Sequence, residues 1–271
     1  QQIDASILLA SADAKQGNAA EGIARLNTFI DAGPDNPYHY QALLRRAALY
    51  EQSDELVAAA DDLKRYMDDR GTVESPSVTL RHIDLSLRLG RYDDAIAGSQ
   101  ALLASSDTMP PAVIQEALYR LGEAQTRNTQ YREALGTFDQ LQQDHPINPY
   151  RQAVDLRRGL LLNQLGRTDE SMAVLLESAN DARLPTPKRV AALRIIAAHL
   201  RDADRPDDSA VTLRRIEQLA GLQALDDAEL LWLGNYEVER NEPAAAIKTL
   251  GAFDGRKRML TGVAESEVLF T

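Results

Sequence analysis

Arg45, Arg81, Arg120 and Arg157 stand 36, 39 and 37 residues apart, and Arg88 and Arg127 follow two of them seven residues later. A guanidinium binds a carboxylate or phosphate through parallel N–H donors. This row is therefore the one regular constellation in the chain with the chemistry to recognise a ligand. The 271 residues carry 30 Lys and Arg against 41 Asp and Glu, a net charge of −11. That balance argues against nucleic acid, which needs a phosphate-facing basic surface. An acidic protein segment is the occupant that a local arginine row would select.

No other chemistry assembles. The four histidines, His39, His82, His145 and His199, each lack a second histidine three or four residues away, the spacing of a helical metal pair. Asp61–Asp62 and Asp93–Asp94 lack the alternating ligands and glycine of a calcium loop. A phosphate-binding glycine loop, a dinucleotide fingerprint and a nucleophile elbow are all missing. With zero cysteines there is no disulfide, thiolate metal site or cysteine nucleophile. The abundant carboxylates read as solvated helix faces. No catalytic residue, metal or cofactor is expected, and no apolar run reaches the roughly 18 residues of a membrane helix.

The elements that must hold the arginines follow from an internal period. A small residue recurs as Ala10, Ala47, Gly122, Gly159, Ala197 and Gly234, with Ile83 as the exception, at steps of 36 to 39. Twelve residues after each comes a second small position: Gly22, Ala59, Ala95, Ala134, Ser171, Ser209 and Ala246. Four further on, Leu26, Leu63, Phe138, Leu175, Leu213 and Leu250 are bulky, and Ser99 departs. Three more bring Phe29, Tyr66, Leu102, Leu141, Ile216 and Phe253, and Ser178 departs. Steps of three and four mark one face of a helix. Between the two helices lies a turn position held by Gly17, Asp54, Gly90, Gly166, Asp204 and Asn241, residues that favour left-handed helix-ending conformations, with Thr129 as the exception. The spacing predicts an all-α chain of about seven helix-turn-helix units over residues 1–253. Residues 254–271 are expected to be a capping helix or the start of a truncated eighth unit.

"ALYRLGEAQTRNTQYREALGTFDQLQQDHP" and "KQGNAAEGIARLNTFIDAGPDNP" resemble the tetratricopeptide repeat, as do "LGRYDDAIAGSQALLA" and "LGNYEVERNEPAAAIKTLGAF". The units at Tyr38–Met67, Val154–Ala179 and Arg189–Leu219 follow by register. The resemblance implies a right-handed α-solenoid of stacked antiparallel helix pairs. Steps above the family's usual 34 imply longer inter-repeat loops, at "DDRGTVESPS" and "ASSDTMPPA". "FDQLQQDHPINPYRQAVDLRRGLLLNQLG" also resembles bacterial outer-membrane assembly and Tol–Pal-associated repeat proteins, which implies a periplasmic or exported setting. A cytoplasmic setting is the alternative. The chain begins at Gln1 without methionine, so it is expected to be a processed or excised segment of a larger protein.

In the resembled family the first helix of each repeat lines a concave groove where partners dock, and the arginines fall on that face. The groove residues so implied are Arg45, Arg81, Arg88, Arg120, Arg127 and Arg157, with Lys15 beside them. Trp232 shares the arginines' position two residues before the small slot. It reads either as a binding anchor or as cover for the end of the stack. For the arginines the other reading is a solvated face, with Arg81 paired to Asp84 and Arg120 to Glu123 at helical i,i+3 spacing. Like charges about 10 Å apart in water repel by only about 0.4 kcal/mol, so such a row needs no ligand to exist. The sequence thus points to a non-catalytic scaffold that binds a protein or peptide partner. A ligand-responsive sensor module of a cytoplasmic regulator, and a structural spacer with no groove ligand, are the alternatives.

Overall fold

The computed structural model describes residues 7–10, 12, 13, 16–71 and 75–253. Lys15 and the expected cap at 254–271 lie outside the described residues. Those described are helical throughout, with no strand among them. They fall into two compact units, Gln1–Asn148 and Pro149–Thr271.

In the first unit a helical stretch at residues 7–10 precedes α1 (Ala19–Asp31), followed by α2 (His39–Gln52), α3 (Leu56–Arg70), α4 (Pro76–Arg88), α5 (Tyr92–Leu103), α6 (Pro111–Arg127) and α7 (Tyr131–Asp144). The second unit holds α8 (Arg151–Gln164), α9 (Thr168–Asn180), α10 (Thr186–Asp202), α11 (Pro206–Ala220), α12 (Asp227–Glu239) and a helix at residues 243–253. Within each unit, helices consecutive in sequence pack on one another. Ala and Leu are the commonest residues of these helices, and prolines start α4, α6 and α11, where the first-turn N–H needs no partner. The longer linkers lie where the sequence places them: α3 and α4 are separated by residues 71–75, and a short 3₁₀ turn, Ser106–Thr108, precedes α6.

The turns match the sequence at all seven positions. Gly17, Asp54, Gly90, Thr129, Gly166, Asp204 and Asn241 all have positive φ, between 55° and 89°. Thr129, the residue that broke the chemical pattern, nevertheless adopts φ 60°. The helix pair on either side determines that geometry, and the side chain at 129 bears the strain.

The small and bulky positions explain one another. A Cβ on Gly122 would stand 2.5 Å from Cε1 of Phe138, and one on Gly159 would stand 2.6 Å from Cδ2 of Leu175. The bulky residue at +16 thus lies directly on the first small residue. The second small residue touches the backbone opposite. A Cβ on Gly22 would collide with the Ala10 carbonyl, while the buried hydroxyls of Ser171 and Ser209 donate to the carbonyls of Gly159 and Ala197, at 2.8 and 2.9 Å. The two exceptions, Ile83 and Ser99, occupy the same pair of positions with the sizes exchanged. Both are fully buried, and Ile83 reaches across to α5, its Cγ1 3.0 Å from where a Cβ on Gly98 would lie. Large-on-small has become small-on-large at nearly constant volume, which is what a close-packed interface tolerates.

Candidate interaction surface on the first helices

The arginines of the first unit sit on α2, α4 and α6, the first helices of three successive repeats. Each of these helices is held by the second helix that follows it, through the small-on-bulky contact at α2 and α6 and its size-exchanged form at α4, so its outer face is presented in fixed register. The local i,i+3 pairing expected from the sequence does not form at Arg81 or Arg120. Arg81 Nε donates instead to Glu51 Oε1 at 2.6 Å, and Arg120 Nη1 donates to Asp84 Oδ1 at 2.7 Å. Both carboxylates belong to the first helix of the preceding repeat. The neighbouring helix is farther away than the next turn, but a long arginine side chain projects outward toward it and spans the gap of about 8–10 Å. Glu123, the partner expected for Arg120, is buried.

The arginines seven residues later repeat the pattern. Arg88 lies 3.9 Å from Asp54, and Arg127 Nη1 donates to the Leu87 carbonyl at 3.3 Å. Arg81, Arg88, Arg120 and Arg127 thus tie consecutive repeats together, and the row leaves donors over. Arg81 uses only Nε, so its terminal nitrogens have no partner among the described residues, and its side chain is 34% exposed. Arg45 is exposed, with no ion pair among the described residues. Arg120 is more fully engaged, with Glu116 at 3.6 Å as well as Asp84.

The second unit holds the other two residues. Arg157 is half-buried on α8. Trp232 is half-buried on α12 and packs against the hydrophobic core of the unit. The Tyr236 ring stacks on it at 5.6 Å, and the Arg201 guanidinium lies 5.3 Å over its ring, a cation–π contact.

Sequence reasoning overlooked a buried polar pair in the first unit. Arg46 on α2 donates from Nε and Nη2 to both carboxylate oxygens of Asp62 on α3, at 2.8 and 2.6 Å, and from Nη1 to Asn27 on α1. The hydrogen bonds that Arg46 donates to Asp62 hold its guanidinium above its ordinary pKa. The available signal was positional: Arg46 precedes the small slot by one, and Asp62 follows that slot by fifteen. Among the described residues, no group of three or more potential ligands could hold a metal, and no helix is long and apolar enough to cross a membrane.

Residues 116–146 and residues 7–71 each match a family model described as tetratricopeptide repeat. No curated protein sequence matches the chain. Among solved structures, it is similar to a tetratricopeptide repeat protein from Parabacteroides merdae, at 15% identity and a TM-score of 0.59 over 94% of this chain and 93% of that one. It is also similar to YrrB, described as a tetratricopeptide-repeat protein with an unusual peptide-binding site, at 14% identity and a TM-score of 0.53 over 71% of this chain and 92% of that one. PilF of Pseudomonas aeruginosa gives 14% identity and a TM-score of 0.52 over 88% and 97%. At these identities the likeness is one of fold.

Proposed function

This chain is a tetratricopeptide-repeat protein, and we propose that it is a non-catalytic scaffold that docks an extended acidic segment of a partner protein along the first helices of its first unit. The carrying observation is the state of Arg81 and Arg45. The tie from Arg81 Nε to Glu51 fixes the guanidinium in place without consuming its terminal donors, and Arg45 one repeat earlier is unpaired among the described residues. A preoriented guanidinium binds a carboxylate with less loss of side-chain freedom. One preoriented guanidinium at Arg81 and one free guanidinium at Arg45, a repeat apart, suit a strand of chain rather than a small ion. YrrB, with its peptide-binding site, is a precedent for peptide recognition by this fold.

The test is selection from a random peptide library displayed against the immobilised protein. Enrichment of acidic extended peptides is expected, with binding lost on Arg45→Glu and Arg81→Glu but retained on Arg65→Glu, an exposed arginine of α3. Selection of neutral or basic peptides, or equal losses in all three variants, would overturn the assignment. An exported setting belongs to the same proposal. Fractionation of the source cell, with the chain found outside the cytoplasm, is the result it expects.

A further inference from the structure

We infer that a cleft between α3 and α5, on the second helices of the first unit, is a separate docking site that takes the side-chain ammonium of a lysine on a partner protein. It goes beyond the acidic-segment surface and uses none of its residues. The repeat register locates it. In the preceding repeat, Arg46 just before the small slot and Asp62 fifteen residues after it form the buried ion pair. The equivalent positions one repeat later are His82 and Gly98. The acceptor that would meet the buried side chain is replaced by hydrogen, and a cleft of about 150 Å³ opens there, lined by His82, Lys64, Asp68, Asp94, Ala97 and Gly98 among others.

His82 is only 4% exposed, yet Nδ1 is sealed without a partner, and no hydrogen bond to the ring is made from the described residues. Burial lowers its pKa, with Lys64 and Arg91 acting in the same direction and Asp94 and Asp68 opposing. The ring is therefore neutral at pH 7, and with Nδ1 sealed, Nε2 is the nitrogen whose lone pair an occupant of the cleft can reach. Desolvated polar groups seek partners, because leaving them unmade costs more than making them gains. The charge at the rim determines the class of partner. Lys64 is tied to Asp68 at 3.2 Å, and Arg91 is tied to Asp61 at 3.0 Å, outside the cleft lining. Asp94 is left as the uncompensated charge. A cation satisfies both groups, donating to the imidazole and to the Asp94 carboxylate, and the net charge of −11 attracts it. The small residues Ala97, Gly98 and Ala101 leave a channel for an unbranched alkyl stem, which matches lysine rather than the planar fork of arginine. One uncompensated carboxylate suits one ammonium, not a free polyamine.

The experiment titrates the full chain with N-acetyl-lysine methylamide while following the side-chain ¹⁵N resonances of His82. Controls are N-acetyl-norleucine methylamide, N-acetyl-glutamate methylamide and spermidine. Saturable shifts of the His82 nitrogens with the lysine probe alone are expected. Asp94→Asn should weaken them about tenfold, the loss of one charge-assisted hydrogen bond. Ala97→Trp, an exposed substitution that plugs the channel, should abolish them while leaving the helical circular dichroism intact. Absence of His82 shifts, equal binding of the norleucine or glutamate probe, tighter binding of spermidine, or an undiminished response in both variants would each overturn the inference. Arg45→Glu and Arg81→Glu should leave the lysine titration unchanged, so the two sites fail or survive independently.

Discussion

If Ile83 and Ser99 are a size-exchanged version of the contact made elsewhere by a small residue and a bulky one, restoring the ordinary order should heal what either change breaks. The reference is the preceding repeat, where Ala47 and Leu63 occupy the same two positions and both are fully buried. Ile83→Ala removes a completely buried side chain from the cluster with Leu87, Ala95, Leu102, Ala117 and Ala124. It should cost about 2–5 kcal/mol for lost burial plus the cavity. Ser99→Leu beside the native Ile83 overfills the same space, at about 1–3 kcal/mol. The Ser99 hydroxyl bonds only to the Ala95 carbonyl of its own helix, so its loss leaves no long-range partner stranded. The double variant should cost less than the sum by about 2–3 kcal/mol, and no more than Ile83→Ala by itself. Urea unfolding followed by far-ultraviolet circular dichroism measures all four corners of the cycle. Tryptophan fluorescence would not serve, since Trp232 lies in the other unit. Additive costs, or a double variant weaker than Ile83→Ala, would refute the idea that these two side chains share one space.

Thr129 stands exposed at φ 60°, so Thr129→Gly removes the left-handed strain of a β-branched residue and should stabilise by about 1 kcal/mol after the entropy cost of glycine. A melting temperature that fails to rise by about 2–4 °C would count against that strain. Arg46→Met leaves the Asp62 carboxylate buried without its partner and should cost about 3–5 kcal/mol. The double change Arg46→Met with Asp62→Met should be milder than Arg46→Met alone, and equal or greater damage would show that the pair is not the cause. Folding lowers the pKa of His82 below its unfolded value of 6.5, so the folded state binds the proton less readily than the unfolded state. Stability should therefore be fully present above pH 6.5 and be lost as pH falls below it. Denaturation curves at a series of pH values should show a smaller acid loss for His82→Gln than for the native chain.

The sequence alone determined the repeat: its period, its helix pairs, the seven turns and the small and bulky positions. Those features are local or recur, and each is enforced by backbone sterics at a position that can be counted. Even Thr129, chemically the wrong residue, was placed correctly by register. What the sequence left open were the partners of polar side chains. Arg81 and Arg120 each had a carboxylate three residues ahead, yet they bond to Glu51 and Asp84, 30 and 36 residues back. Arg46 and Asp62 gave no local sign of their pairing, and His82 looked like one isolated histidine among four. Helical periodicity says which face a residue occupies. Which neighbour it meets there depends on how the next helix pair packs against that face, and side-chain reach across that packing is longer than the spacing between turns. The same holds for Ile83 and Ser99, two departures when read along the chain. Read by repeat register they are one pair of positions with the sizes exchanged, because volume is conserved across an interface and not at a single position.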